Sequence, residues 1–175
     1  MTVVYFVIIF LLVAIDQVIK YAVVTWLRPQ EFVDVIPGFI RFRYVENDGA
    51  AFSMLQNARW FFVILTSVLV IIGFVALASK NMKFRYPTLH SPFIKTAIIL
   101  ICGGGIGNLI DRLWRGFVID FIEPTFVNFA VFNFADILVT CGAAILIIYL
   151  IADVIFDFTQ KRREIRDYKK RRKHG

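Results

Sequence analysis

The sequence predicts an all-α membrane protein, a four-transmembrane-helix bundle with a small extracytoplasmic β element. Three observations carry this reading. Hydrophobic residues make up 59% of the 175 residues, above the roughly half found in soluble domains, and the excess lies in four long runs. Basic residues gather at alternate flanks of those runs. Between the first two runs, a short stretch alternates apolar and charged residues with the period of a strand.

A bilayer needs about 20 residues of apolar helix. The first run, Val3 to Leu27, is broken by Asp16, Gln17 and Lys20. The second, Phe61 to Ala78, has no charge, and the third, Phe93 to Ile110, has only Lys95. The fourth, Ile137 to Ala152, is uncharged and extends outward at both ends. One such run suits a soluble core; four in so short a chain do not. Helices are expected at about 3–27, 60–79, 93–112 and 134–157 in one domain spanning 1–160, followed by a basic tail at 161–175. The first run reads as a retained helix and not a cleaved signal peptide. Its first ten residues carry no basic group, no A-x-A-like site follows, and Asp16 lies inside it.

Lysine and arginine near helix ends favour the cytoplasm. The segment Lys80 to Lys95 and the tail Lys161 to Lys173 hold thirteen of them, against six on the other flanks (Arg28, Arg41, Arg43, Arg59, Arg112 and Arg115). Both chain ends are therefore expected in the cytoplasm. Trp26, Trp60 and Trp114 then fall at the outer interface, where indoles prefer to sit. The net charge of +7 resides largely in a tail directly after a membrane helix. That placement fits an anchor near anionic lipid better than nucleic-acid binding. Cys102 and Cys141 lie in apolar runs and read as free packing residues. No disulfide framework, metal spacing or cofactor motif is present.

In the outer loop, Ile40, Phe42 and Tyr44 alternate with Arg41 and Arg43, which is strand periodicity. Glu31 to Ile36 is a second candidate strand, joined through a Pro37-Gly38 turn, so a two-strand element over about 31–46 is expected. Ala50 to Leu55 reads as a short interfacial helix, and Lys80 to Pro92 as an inner connector. The third run holds Gly103, Gly104, Gly105 and Gly107. Gly103 and Gly107 share a helix face and permit close helix packing in lipid, a structural role.

Charges inside a membrane are costly and face the protein interior or water. Four polar groups stand out. Asp16 and Lys20 are four apart on one helix face and can pair; they are either an internal ion pair that positions other groups or part of the chemistry. Asn47-Asp48-Gly49 is turn chemistry. Asn108, Asp111 and Arg112 share a face, and Asp111 has Arg115 four residues on. Cations beside it favour its ionised form, which suits a clamp.

The fourth group is Asp120 in Val118-Ile119-Asp120-Phe121-Ile122 together with Asp136 in Phe132-Asn133-Phe134-Ala135-Asp136. Neither acid has a basic residue within four positions. Desolvation without a cation raises a carboxyl pKa, and two such acids brought together share one proton. Taken singly, Asp136 is an N-cap candidate and Asp120 a loop residue; taken together they are a candidate catalytic dyad. A proton- or ion-coupled carrier, with Asp16 and Lys20 as relay, is the rival class, disfavoured because the other acids cluster at one end.

Five motifs in order, D-Q-x-x-K (16–20), N-x-G-A-A-F (47–52), the glycine–asparagine run from Gly103 to Arg112, V-x-D-F (118–121) and F-N-x-A-D (132–136), resemble the lipoprotein signal peptidase (signal peptidase II) family over the whole chain. Two departures leave every functional group in place: Asp48 stands where Thr is common, and Ala130 where a proline often precedes the last motif. The resemblance implies an aspartic endopeptidase of the bacterial inner membrane that cleaves prolipoproteins before a diacylglyceryl-modified cysteine, without cofactor or metal. Its partners would be that lipid-modified substrate and membrane lipid, with no nucleic acid and as a monomer. By resemblance Asp120 and Asp136 are catalytic; Asn47, Asn108, Arg112 and Asn133 line the site or hold substrate; Asp16 and Lys20 support the fold and the site. Asp111 is a rival candidate in the family pattern, ranked below Asp120 because of its neighbouring cations, and Gly103, Gly104 and Gly107 remain structural.

Overall fold

The computed structural model describes residues 2–49, 58–79 and 91–174, with side chains up to 163. The expected interfacial helix at 50–55, the Ala50-Ala51-Phe52 part of the second motif and residues 80–90 of the inner connector lie outside these. Among the described residues, four helices are long and apolar enough to cross a membrane. They are α1 (Thr2–Ala22), α2 (Arg59–Ala78), α3 (Pro92–Trp114) and α4 (Phe134–His174). A π-helical turn, Val23–Leu27, prolongs α1. α4 continues as helix well past its apolar part, because Lys, Arg and Glu are good helix formers.

α3 lies at the centre. Its most apolar window is 44% buried, against 11 to 22% for the other three, and it is the least hydropathic of the four. A helix that faces protein on most sides needs no apolar coat against lipid. Its glycines explain how three neighbours approach it. Successive helix residues point about 100° apart, so Gly103, Gly104 and Gly105 each serve a different partner. A methyl at Gly103 would stand 3.1 Å from Leu12 of α1, one at Gly104 would collide with the Ala135 carbonyl of α4, and one at Gly105 would stand 3.3 Å from Thr66 of α2. Gly107 lies directly against the Asp16 carboxylate. Gly103 and Gly107 thus face Leu12 and Asp16, which are four apart on α1, as the shared helix face requires. Ile9, Leu77, Ile99 and Cys102 pack where α1, α2 and α3 meet.

Among the described residues the β element has three strands, one more than the alternation implied. β1 (Val33–Ile36), β2 (Ile40–Asn47) and β3 (Val118–Pro124) form an antiparallel sheet in that order. Pro37-Gly38 makes the expected turn: Gly38 has φ +74°, and the Phe39 N–H donates to the Ile36 carbonyl at 2.9 Å. β3 escapes the period-2 pattern because Val118 to Phe121 are buried without alternation, and a strand covered on both faces reads as a continuous apolar run. Ile119 and Phe121 pack with Val23 and Leu27, seating the sheet on the end of α1.

The same end of the bundle carries the close of α1, the start of α2, the close of α3 and the start of α4. Trp26, Trp60 and Trp114 all project there, 76%, 64% and 87% exposed. Gly116, at φ +94°, turns the chain from α3 into β3. Arg59 donates to the Leu113 carbonyl at 3.0 Å, placing a cation at the negative end of α3.

Candidate active site

Asp120 reaches the site from β3. It stands opposite Val45 in the β2–β3 register, with Asn47 opposite Val118. Residues two apart on a strand share a face, so Asn47 and Asp120 meet: Asn47 Nδ2 donates to Asp120 Oδ2 at 2.8 Å. The Gly49 N–H donates to Asn47 Oδ1 at 3.0 Å. The Asn-Asp-Gly turn therefore aims the amide nitrogen at the acid.

Asp136 is brought alongside by the chain just before α4. Phe132 pairs with Ile122, exchanging N–H···O bonds of 2.8 and 3.0 Å, so α4 begins beside β3. Asn133 and Asp136 then form a reciprocal cap. The Asp136 N–H donates to Asn133 Oδ1 at 3.0 Å, and the Asn133 N–H donates to Asp136 Oδ2 at 3.0 Å. Asp136 is thus the third helical residue of a capping box, with Asn133 the N-cap in its place. That arrangement leaves Asp136 Oδ1 for Asn108 Nδ2, at 2.8 Å.

Two carboxamides knit the acids together. Asn133 Nδ2 donates to Asp120 Oδ1 at 2.6 Å and to Asn108 Oδ1 at 3.2 Å. Asp120 is 2% exposed. Burial, and next the charge of Asp136, lift its carboxyl from 3.8 to about 7, while the amides of Asn47 and Asn133 and the charge of Lys20 oppose the rise. Desolvation therefore outweighs two hydrogen bonds.

Both acids, with Asn47, Asn108 and Arg112, line a cavity of about 500 Å³ whose further wall is apolar, including Phe62, Val131, Ile137 and Cys141. Arg112 sits over the Phe62 ring at 4.9 Å and donates to the Gly49 carbonyl at 3.3 Å. Asn133, expected to line the site or hold substrate, is fully buried, and its side chain bonds to the acids and Asn108. It positions the acids. Cys102 is buried as expected, whereas Cys141 is exposed on the cavity wall.

Behind the cavity wall, Lys20 bridges Asp16 at 3.0 Å and Asp111 at 2.9 Å, all three fully buried. The cation nearest Asp111 is therefore Lys20; Arg115 is more distant, at 3.5 Å. Asp111 Oδ2 also accepts the Ile119 N–H at 3.2 Å, which clamps β3 to α3. Gln17 donates to the Gly107 carbonyl at 3.1 Å, adding an α1–α3 tie. Sequence reasoning assigned no role to Gln17, Phe62 or Phe132; each acts through a contact distant in the chain. Among the described residues, no group of three or more His, Cys, Asp or Glu is disposed to hold a metal ion.

A polytopic bundle with two acids in one cavity at its sheet-bearing end has the layout of a membrane-embedded enzyme. It is similar to two solved bacterial membrane enzymes, each 32% identical. One has a TM-score of 0.74, with 86% of this chain and 89% of the other covered; the second has a TM-score of 0.69, with 84% and 92% covered. The family model of signal peptidase (SPase) II matches residues 8–152, and the chain belongs to that family. Lipoprotein signal peptidases of Streptococcus pyogenes serotypes M5 (strain Manfredo) and M3 (strain ATCC BAA-595 / MGAS315) are 42% and 41% identical over 140 residues, 80% of this chain and 88% of each relative. The chain is a multi-pass bacterial membrane protease, and the family function is removal of signal peptides from prolipoproteins. This replaces the ion-carrier alternative, and Asp16 with Lys20 forms an internal ion pair.

Proposed function

We propose that the protein is an aspartic endopeptidase that cuts prolipoproteins before the lipid-modified cysteine, with Asp120 and Asp136 as its catalytic pair. The observation that carries this is the cavity lined by both acids, whose carboxyl groups are joined through the Asn133 and Asn108 amides. Asp120, lifted to about 7, holds the shared proton and polarises the scissile carbonyl. Asp136 takes a proton from the attacking water, and the proton on Asp120 passes to the leaving amine. The peptide bond breaks by hydrolysis with no covalent enzyme intermediate.

Asn108 and Arg112 orient the substrate backbone, whose polar groups need partners once removed from water. The apolar wall at Phe62, Ile137 and Cys141 takes the lipid-bearing side. The basic tail and the segment 80–95 face the cytoplasm, which puts the sheet and the cavity at the outer face. The enzyme acts as a monomer in contact with membrane lipid.

The test is cleavage of a diacylglyceryl-modified prolipoprotein by the purified protein in detergent. Cleavage directly before the modified cysteine is expected, with loss of activity in Asp120→Asn and in Asp136→Asn. Full activity in either variant overturns the pairing.

A further inference from the structure

We infer that Lys20, which does not reach the cavity, is a positioning residue for the reaction: its ammonium fixes the orientation of the Asn108 carboxamide, and through it the Asp136 carboxylate. The inference rests on the reading of Asp120 and Asp136 as the reacting pair.

Lys20 Nζ donates to Asn108 Oδ1 at 2.8 Å. An ammonium can only donate, so the oxygen end of the amide must face Lys20 and the nitrogen end must face away. The nitrogen then meets Asp136 Oδ1 at 2.8 Å. Asn133 Nδ2 also donates to Asn108 Oδ1, so an amide turned the other way would set NH against both an ammonium and an NH2. Lys20 has three donors and three acceptors: Asp16 Oδ2, Asp111 Oδ2 and Asn108 Oδ1. All its capacity is spent holding one geometry. Lys20 is 0% exposed and does not line the cavity, so it has no contact with substrate.

The chain of contacts is directional. α1 supplies the cation, α3 the amide and α4 the acid, so one hydrogen-bond series sets three helices in register at the reacting group. Asp16 and Asp111 hold the ammonium in place from either side. They also set the charge count: two carboxylates stand against the Lys20 ammonium and the Arg115 guanidinium.

The experiment removes the donor without changing that charge. Lys20→Met is made together with Asp16→Asn, which leaves Asp111 with Arg115 and keeps the net charge of the parent; Asp16→Asn alone is the control for the loss of that carboxylate. With a prolipoprotein substrate in detergent, Lys20→Met is expected to lower kcat about 10²-fold, the scale of a misplaced catalytic group, with KM within about threefold because no substrate contact is lost. Lys20→Gln in the same background restores a donor to Asn108 and is expected to recover at least tenfold of that loss. In Asn108→Ala, adding Lys20→Met is expected to cost nothing further, the non-additivity of residues acting as one unit.

The inference is overturned if Lys20→Met keeps kcat, if KM rises while kcat holds, if Gln gives no recovery although it melts at the temperature of Met, or if the Lys20 and Asn108 effects multiply. Asp120→Asn and Asp136→Asn in the same background separate the two readings. Activity there refutes the acid pair itself; inactivity there with an active Lys20→Met refutes only the role of Lys20.

Discussion

Asn133 donates to Asp120 at 2.6 Å while its own backbone N–H is held by Asp136, so a single N-cap residue touches both acids. The start of α4 and the middle of β3 are thereby locked at the one place where the two carboxyl groups face a common cavity. Capping a helix and pairing two acids are here the same set of hydrogen bonds.

Asp120→Asn and Asp136→Asn are each expected to reduce cleavage on the order of 10³-fold or more, within the range that general acid–base groups supply. Each preserves shape, so membrane insertion and helical content stay at parental levels by circular dichroism. Single-turnover cleavage of a lipid-modified peptide measures the loss.

The Asp120 carboxyl has a definite pH signature. It is raised from 3.8 to about 7 on folding, so the folded protein keeps a proton that the unfolded chain releases. Stability contributed by this site is therefore highest below about pH 4, falls as pH rises from about 4 to 7, and is level above that. Asp120→Asn carries no such titration. The difference in Tm, variant minus parent, is expected to grow between pH 4 and 7 and then stay constant. A difference independent of pH would refute the raised value. In the parent, cleavage is expected to decline as pH passes above about 7, where the proton-holding acid is lost.

Asp111→Asn tests the clamp. Asp111 binds Lys20 and the Ile119 N–H at full burial, and breaking a buried ion pair from one side costs about 3–5 kcal/mol. Asn retains the shape and one acceptor, so a drop in thermal stability is the main expected effect, with kcat at low temperature within several-fold of the parent. A well-folded Asp111→Asn protein with no activity would move Asp111 into the catalytic set.

Two glycines separate packing from turn geometry. Gly104→Ala sets a methyl against the Ala135 carbonyl and pushes α4 away from α3 one residue from Asp136. Loss of both thermal stability and cleavage is expected. Gly38→Ala meets no atom within 4 Å and pays only for a left-handed backbone, about 1 kcal/mol, so cleavage is expected to persist. Equal effects of the two on cleavage would show that the α3–α4 contact does not position the site.

Much of the fold is legible because bilayer and backbone physics act locally. Four apolar runs, the Pro37-Gly38 turn and the shared face of Gly103 and Gly107 follow from length and period. β3 is not legible, since Val118 to Phe121 are buried together and carry no alternation. Nor is the partner of Lys20: spacing finds Asp16, four residues away, but Asp111 and Asn108 come from another helix.

By itself, the sequence determined that the chain crosses a membrane four times, that uncompensated acids stand at 120 and 136, and which family its ordered motifs resemble. Only the tertiary structure decided which side chains meet: Asn133 between the acids, Lys20 behind Asn108, and Asn133 as the cap in the place considered for Asp136. The reason is physical. Burial preferences and helix period act over a few residues, whereas a hydrogen bond between α1, α3 and α4 depends on how closely glycines let those helices approach.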